Sequence, residues 1–220
     1  MARWHPSPNF GPRRDGLTPS LIVLHYTAMA SEQAAIERLC DPASEVSAHY
    51  LIAADGCVTQ MVEERARAWH AGAGEWHGQS DINSRSIGIE LDNAGHHPFS
   101  DPQMSALEHL LSHLMAQWNI PASGVIGHSD MAPGRKTDPG PHFDWERLAR
   151  QGLADRAGLD PQPRDGDMEM FRKLAAHHGY TADASEEAVL HAVRLRFRPY
   201  VTGPLTPEDF SPFGPASLQT

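Results

Sequence analysis

A chain of 220 residues is long enough for one sizeable core and a small appendage. Its 28 Asp and Glu against 18 Lys and Arg give a formal charge of −10, which argues against a nucleic-acid partner, because phosphate backbones are held by basic patches. No apolar run approaches the ~20 residues that a membrane-spanning helix needs, and Cys40 and Cys57 lack metal-motif spacing and read as free, mostly buried thiols, the alternative being one disulfide.

The opening residues, MARWHPSPNFGPRRDG, contain no apolar secretory core. A cytoplasmic location is therefore expected if Met1 is the natural start, with the periplasm as the alternative if the natural chain is longer. The run Leu21-Ile22-Val23-Leu24-His25-Tyr26 has the pattern of a buried strand that delivers one histidine to a sheet edge. Residues 31–39 predict a short helix capped by Ser31, with Ala35, Ile36 and Leu39 on one face. Residues 49–52 and 58–62, joined through Asp55-Gly56, predict a β-hairpin. His49 in it is a second strand histidine and a rival for any metal position. Residues 67–83 read as a loop in which Trp69, His70, Trp76 and His77 stand among glycines. Exposed aromatics of this kind suit a sugar or peptide cleft, and tryptophans pinning the loop to the core are the other reading.

In Ile87-Gly88-Ile89-Glu90-Leu91, strand alternation puts Ile87, Ile89 and Leu91 on one face and Gly88 and Glu90 on the other. A carboxylate inside an apolar strand is costly unless it is paired or used. Desolvation would raise the Glu90 pKa toward that of a general base, and a nearby cation would oppose the rise. Residues 101–118 carry Met104, Leu107, Leu110, Leu111, Leu114 and Met115 at helical spacing, a helix expected to cover one face of the sheet.

The stretch at residues 127–145, GHSDMAPGRKTDPGPHFDW, follows the short apolar run Val125-Ile126. Its three prolines and three glycines predict an irregular loop in place of a helix, and long ordered loops inside compact domains are usually functional. His128 and Asp138 offer a neutral nitrogen and an anionic oxygen, a donor set that suits zinc. Nine residues separate them, so the loop must fold back to bring them together, and a third ligand must come from elsewhere. His25 is the best candidate, and the three would leave a fourth position open for water, as in catalytic zinc sites. Taken singly, a packed histidine and a turn-forming aspartate before Pro139 remain equally open readings.

Asp144 is placed to cap a short helix to residue 150. Beyond a linker over residues 153–166, residues 167–178 and 185–196 predict two amphipathic helices, and the proline- and glycine-rich end from Val201 reads as loosely structured. Strands interleaved with helices predict an α/β domain over residues 1–152, a mixed central β-sheet flanked by helices, with a small C-terminal helical appendage over 167–220.

Six stretches, SPNFGPR at 7–13, IVLHYT at 22–27, SAHYLI at 47–52, RAWHAG at 67–72, SIGIEL at 86–91 and GRKTDPG at 134–140, together resemble the zinc-dependent N-acetylmuramoyl-L-alanine amidases of the type 2 amidase family, most closely their AmpD and AmiD branch. The resemblance implies the amidase/peptidoglycan-recognition-protein-like fold and one Zn2+ per chain on His25, His128 and Asp138, with His49 outside the ligand set. It implies Glu90 as the catalytic acid/base and Lys136 as the group that stabilises the tetrahedral oxyanion. Trp69 and His70, with Asn83 at the end of the same loop, would contact substrate. That substrate would be a muropeptide, cut between the lactyl group of (1,6-anhydro-)N-acetylmuramic acid and L-alanine during peptidoglycan turnover. The order FRKLAAHHGY then AVLHAVRLRFRP resembles a small peptidoglycan-binding-like module, a plain packing appendage being the alternative. Two rival functions are a catalytically silent peptidoglycan-binding protein and a zinc peptidase acting within the stem peptide.

Overall fold

The computed structural model describes residues 2–156 and 165–213. In chain order the strands are β1 (Arg3–Trp4), β2 (Phe10–Pro12), β3 (Leu21–Tyr26), β4 (Tyr50–Ile52), β5 (Val58–Gln60), β6 (Ala66–Ala68), β7 (Ser86–Leu91) and β8 (Val125–Gly127). The helices are α1 (Glu32–Cys40), α2 (Ile82–Arg85), α3 (Asp101–Trp118), α4 (His128–Met131), α5 (Trp145–Arg150), α6 (Met168–His177) and α7 (Glu186–Phe197), followed by a 3-10 segment at Pro207–Phe213. The longer helices start where short polar side chains close the first turn. Ser31, Ser100, Asp144, Asp167 and Ser185 each accept a backbone N–H three residues on.

Six strands form one mixed sheet in the order β1-β5-β4-β7-β3-β8, and β2 and β6 pair separately. The apolar central strands run parallel: β3 lies between β7 and β8, and β4 is parallel to β7 on its other side. Such strands need cover on both faces. Alternation sends Ile22 and Leu24 of β3, with Ile87, Ile89 and Leu91 of β7, toward Met104, Leu107, Leu111 and Leu114 of α3. Leu21 and Val23 point the other way and join Ile126, Phe171, Leu174, Tyr180, Val189 and Val193 in one cluster. The C-terminal helices α6 and α7 are thus the cover of the sheet's second face, sharing its core.

The expected hairpin is the antiparallel pair β4–β5. Its Gly56 has φ +87°, and a Cβ there would sit 2.7 Å from the Pro102 carbonyl oxygen, so the turn needs glycine twice over. Cys40 and Cys57 are free and half-buried. Among the described residues no helix is long and apolar enough to cross a membrane.

Three expectations are corrected. Residues 67–83 are not all loop, because β6 pairs antiparallel with β2 and α2 turns just before β7. The proline- and glycine-rich stretch opens with one helical turn, α4, whose Asp130 carboxylate takes the Gly127 N–H at 2.8 Å. The end of the chain is not loose from Val201, since Phe210 and Phe213 are buried edge-on to Phe171 and Asp209 binds Arg194 and Arg198. Of the expected linker, Leu153 and Ala154 pack into the core, while residues 157–164, like 214–220 at the end, lie outside the described residues.

Candidate metal centre and active site

The site lies beyond the carboxyl ends of the parallel strands, where open α/β sheets bind ligands. His25 is the fifth residue of β3, Glu90 is its direct register partner on β7, and His128 follows β8 immediately. The loop after α4 folds back as its composition demands, and the Ser129 N–H donates to the Asp138 carbonyl at 2.9 Å. This brings three donor atoms together. His25 Nδ1 and His128 Nδ1 are 2.9 Å apart, and Asp138 Oδ2 is 2.9 Å from the first and 3.0 Å from the second. His25 and His128 are 2% and 3% exposed, so water does not separate these groups.

The surrounding hydrogen bonds assign the protons. Ser86 Oγ donates to the Ile82 carbonyl at 2.6 Å, so it accepts from His70 Nε2–H at 3.2 Å. His70 Nδ1 is then bare and accepts from His25 Nε2–H at 3.0 Å, which leaves His25 Nδ1 without a proton. His128 Nε2–H donates to the Ala71 carbonyl at 2.8 Å, which leaves its Nδ1 bare as well. Burial, and next the neighbouring His128, push the His25 pKa down to about 4, so the ring stays neutral at neutral pH. Two lone pairs and a carboxylate oxygen therefore face one point, an arrangement that repels itself unless a cation sits there. His25, His128 and Asp138 form a candidate metal site, with two nitrogens and one oxygen as in catalytic zinc centres.

Glu90 lines a cavity of about 490 Å³ together with His25, His128 and Asp138. Its Oε2 is buried and has no hydrogen-bond partner among the described residues. Burial, and then the Asp138 charge, push its carboxyl up to about 8, against the pull of Lys136. Lys136 is exposed on the cavity wall, and its charge reaches both Glu90 and His25. The chain matches the N-acetylmuramoyl-L-alanine amidase family, Amidase_2, over residues 15–141.

The chain belongs to that family.

This amidase is 34% identical over 213 residues to the N-acetylmuramoyl-L-alanine amidase AmiD of Escherichia coli K12, an overlap of 81% of this chain and 75% of the relative. It is 36% identical over 159 residues to the 1,6-anhydro-N-acetylmuramyl-L-alanine amidase AmpD of Haemophilus influenzae, covering 64% of this chain and 86% of that one. The solved complex of the Escherichia coli AmiD with the substrate anhydro-N-acetylmuramic acid-L-Ala-D-gamma-Glu-L-Lys superposes with a TM-score of 0.80 at 31% identity, covering 90% of this chain and 89% of that one.

Of the residues expected to touch substrate, His70 lines the cavity while Trp69 and Asn83 do not. His70 is buried between His25 and Ser86, so it orients His25 of the candidate metal site, the role an outer hydrogen-bond partner plays at metal centres. Gly88 makes room for it, because a Cβ there would stand 2.4 Å from the His70 ring. Asn83 Oδ1 accepts the backbone N–H groups of His70 and Ala71 at 3.0 and 2.8 Å, which fixes the loop that carries both. Trp69 is half-buried and its backbone is tied to Ser47.

Sequence reasoning missed Arg135, which donates to the Ala71 carbonyl at 2.7 Å and to that of Ala73, fixing the acceptor of His128 from a second side. Its adjacency to Lys136 in GRKTDPG was the available signal.

His49 stands apart from the donor triangle. Its Nδ1 accepts the Gly88 N–H at 2.9 Å and its Nε2–H donates to the Ala66 carbonyl at 3.2 Å. Burial, and then Arg13, push its pKa down to about 3. Because the folded value lies below the unfolded ~6.5, the unfolded chain takes up this proton first. The stabilisation is present above that value and is lost as pH falls toward 3. Thermal melts in chelator are expected to show stability declining below pH 6.5, with His49 contributing roughly 1.4 kcal/mol per pH unit. In His49→Gln the pH slope should shrink by about one proton, and an unchanged slope would remove His49 from this account.

Proposed function

We propose that this amidase uses one zinc ion at His25, His128 and Asp138 to hydrolyse the amide between the lactyl group of N-acetylmuramic acid, in its 1,6-anhydro or ordinary form, and L-alanine of the stem peptide. The observation that carries the reading is the meeting of three unprotonated donor atoms beside Glu90, whose buried Oε2 has no hydrogen-bond partner among the described residues, in a chain that matches the family across those residues. When bound, zinc supplies a water of lowered pKa and an electrophile for the carbonyl oxygen.

The rest is the work of the protein. Glu90, beside His25 across the strand register, holds the proton taken from the attacking water and returns it to the leaving L-alanine nitrogen. Lys136, whose charge already reaches Glu90, offsets the negative charge that builds on the carbonyl oxygen. His70 and the Ala71 carbonyl hold the two imidazoles in the tautomers that keep both Nδ1 atoms bare. Arg38, Arg135 and Lys136 give the cavity a cationic wall in a chain of net charge −10, which suits a stem peptide bearing carboxylates. The fit of the AmiD substrate complex over nine-tenths of this chain supports the same substrate class.

Mass spectrometry of anhydro-muropeptide digests tests the assignment. The expected products are anhydro-N-acetylmuramic acid and the intact stem peptide, formed by the zinc-loaded protein and not after chelation. Release of single amino acids would make the chain a peptidase, and tight binding without cleavage would make it a silent recognition protein.

A further inference from the structure

Asp130, two residues after His128, is fully buried and both of its oxygens are engaged. Oδ2 accepts the Gly127 N–H and Arg196 Nη1–H, each at 2.8 Å, and Oδ1 accepts the Tyr180 hydroxyl at 2.9 Å. Tyr180 lies in the connector between α6 and α7, and Arg196 lies near the end of α7. Arg196 also donates from both Nη atoms to the Val125 carbonyl at 3.2 Å, and its guanidinium lies 4.1 Å over the Trp145 ring. One side chain of α7 therefore grips the backbone three residues before His128 and the carboxylate two residues after it.

A second tie runs from the same connector to the other side of the metal centre. The His77 N–H donates to the Gly179 carbonyl at 3.0 Å, the Gly78 N–H donates to Thr181 Oγ1 at 2.7 Å, and Trp76 packs edge-on against Tyr180 with ring centroids 5.0 Å apart. The segment so anchored follows Ala71, whose carbonyl accepts the His128 Nε2–H. Both supports of the His128 imidazole, the turn that carries it and the region of its outer hydrogen-bond acceptor, are thus fastened to residues 179–181. The Ser129 N–H bond to the Asp138 carbonyl carries the same restraint to a second ligand.

We propose that Tyr180 and Arg196 are positioning residues of the metal centre, through which the C-terminal helices hold His128 in place by way of Asp130 and so set the affinity for zinc. The inference rests on the zinc-amidase reading above. Removing either partner leaves a buried carboxylate short of a donor, and the turn is expected to move to recover one. Outer hydrogen-bond partners of metal ligands typically carry 10- to 100-fold of metal affinity.

The test uses the full-length chain and zinc dissociation constants measured by competition with a chromophoric chelator, at a temperature where melts show each variant folded. Tyr180→Phe removes one hydroxyl and keeps the ion pair; its Kd should rise about tenfold. Arg196→Lys keeps the charge and loses the fork to Val125; its Kd should also rise about tenfold, the lower end of that range, because Arg196 reaches His128 only through Asp130 and the Val125 carbonyl. Arg194→Lys is the control, because it weakens a buried pair between α7 and Asp209 of the following 3-10 segment and touches neither Asp130 nor Val125. It should lower the melting temperature and leave the zinc Kd unchanged. The proposal is overturned if both folded variants bind zinc within twofold of the unaltered chain, or if the control loses as much affinity as they do. Should Arg196→Lys fail to fold, Tyr180→Phe decides alone. A chain that binds zinc normally and cleaves no muropeptide would end the proposed function without altering this measurement.

Discussion

Replacing Glu90 by glutamine is expected to leave zinc bound and to lower kcat by roughly 10²- to 10⁴-fold, the contribution of a well-placed acid/base. The substitution keeps size and shape and removes the ability to accept and return a proton. Glu90 is not a member of the donor triangle, and Oε2 has no other hydrogen-bonding duty among the described residues, so stability and metal content should change little. The carboxyl is pushed up to about 8 by burial and the Asp138 charge, and a dication beside it pulls the value back down. A base works when ionised, so kcat/KM should rise with pH along an acid limb lying between the ordinary 4.5 and about 8. That limb should be missing from the residual activity of the variant. Near-normal turnover in Glu90→Gln would remove this residue from the chemistry.

Asp138→Ala should abolish turnover by a different route, through loss of the metal. Asp138 supplies the only anionic donor of the triangle, and without it two bare Nδ1 atoms 2.9 Å apart face each other with no charge to balance a dication. Metal analysis of the purified variant is expected to show far less than one zinc per chain, and added zinc should restore the chelated parent chain but not the variant. A variant that keeps one zinc per chain at ordinary affinity would contradict the donor assignment.

The parts of this molecule that were legible in the sequence are those written in local pattern. The apolar run ending in His25, the alternation around Glu90 and the helical spacing of residues 101–118 each specify an element, and the elements lie where those patterns place them. The donor set was legible because residue chemistry and a breaker-rich loop allow few arrangements, and the family motifs chose among them. What local pattern does not carry is a contact between distant segments. His70 shows only as a histidine in an aromatic loop, and its bond to His25 exists because Gly88 leaves space two strand positions before Glu90. The short strands β2 and β6 are too brief to show alternation, and their pairing comes from tertiary context. Asp209, Phe210 and Phe213 sit in a proline-rich end that resembles a loose tail by composition, and burial against Phe171, Arg194 and Arg198 orders them. Asp130 in GHSDMAPG gives no sign that its partners lie 50 and 66 residues away.

The most direct measurement of the central claim is zinc-edge X-ray absorption on the loaded, full-length chain, with metal content determined on the same sample. One zinc per chain with two imidazole nitrogens and a protein oxygen in its first shell, losing one imidazole in His128→Ala, is the predicted result. A first shell containing sulfur, or one unchanged by loss of His128, would contradict it.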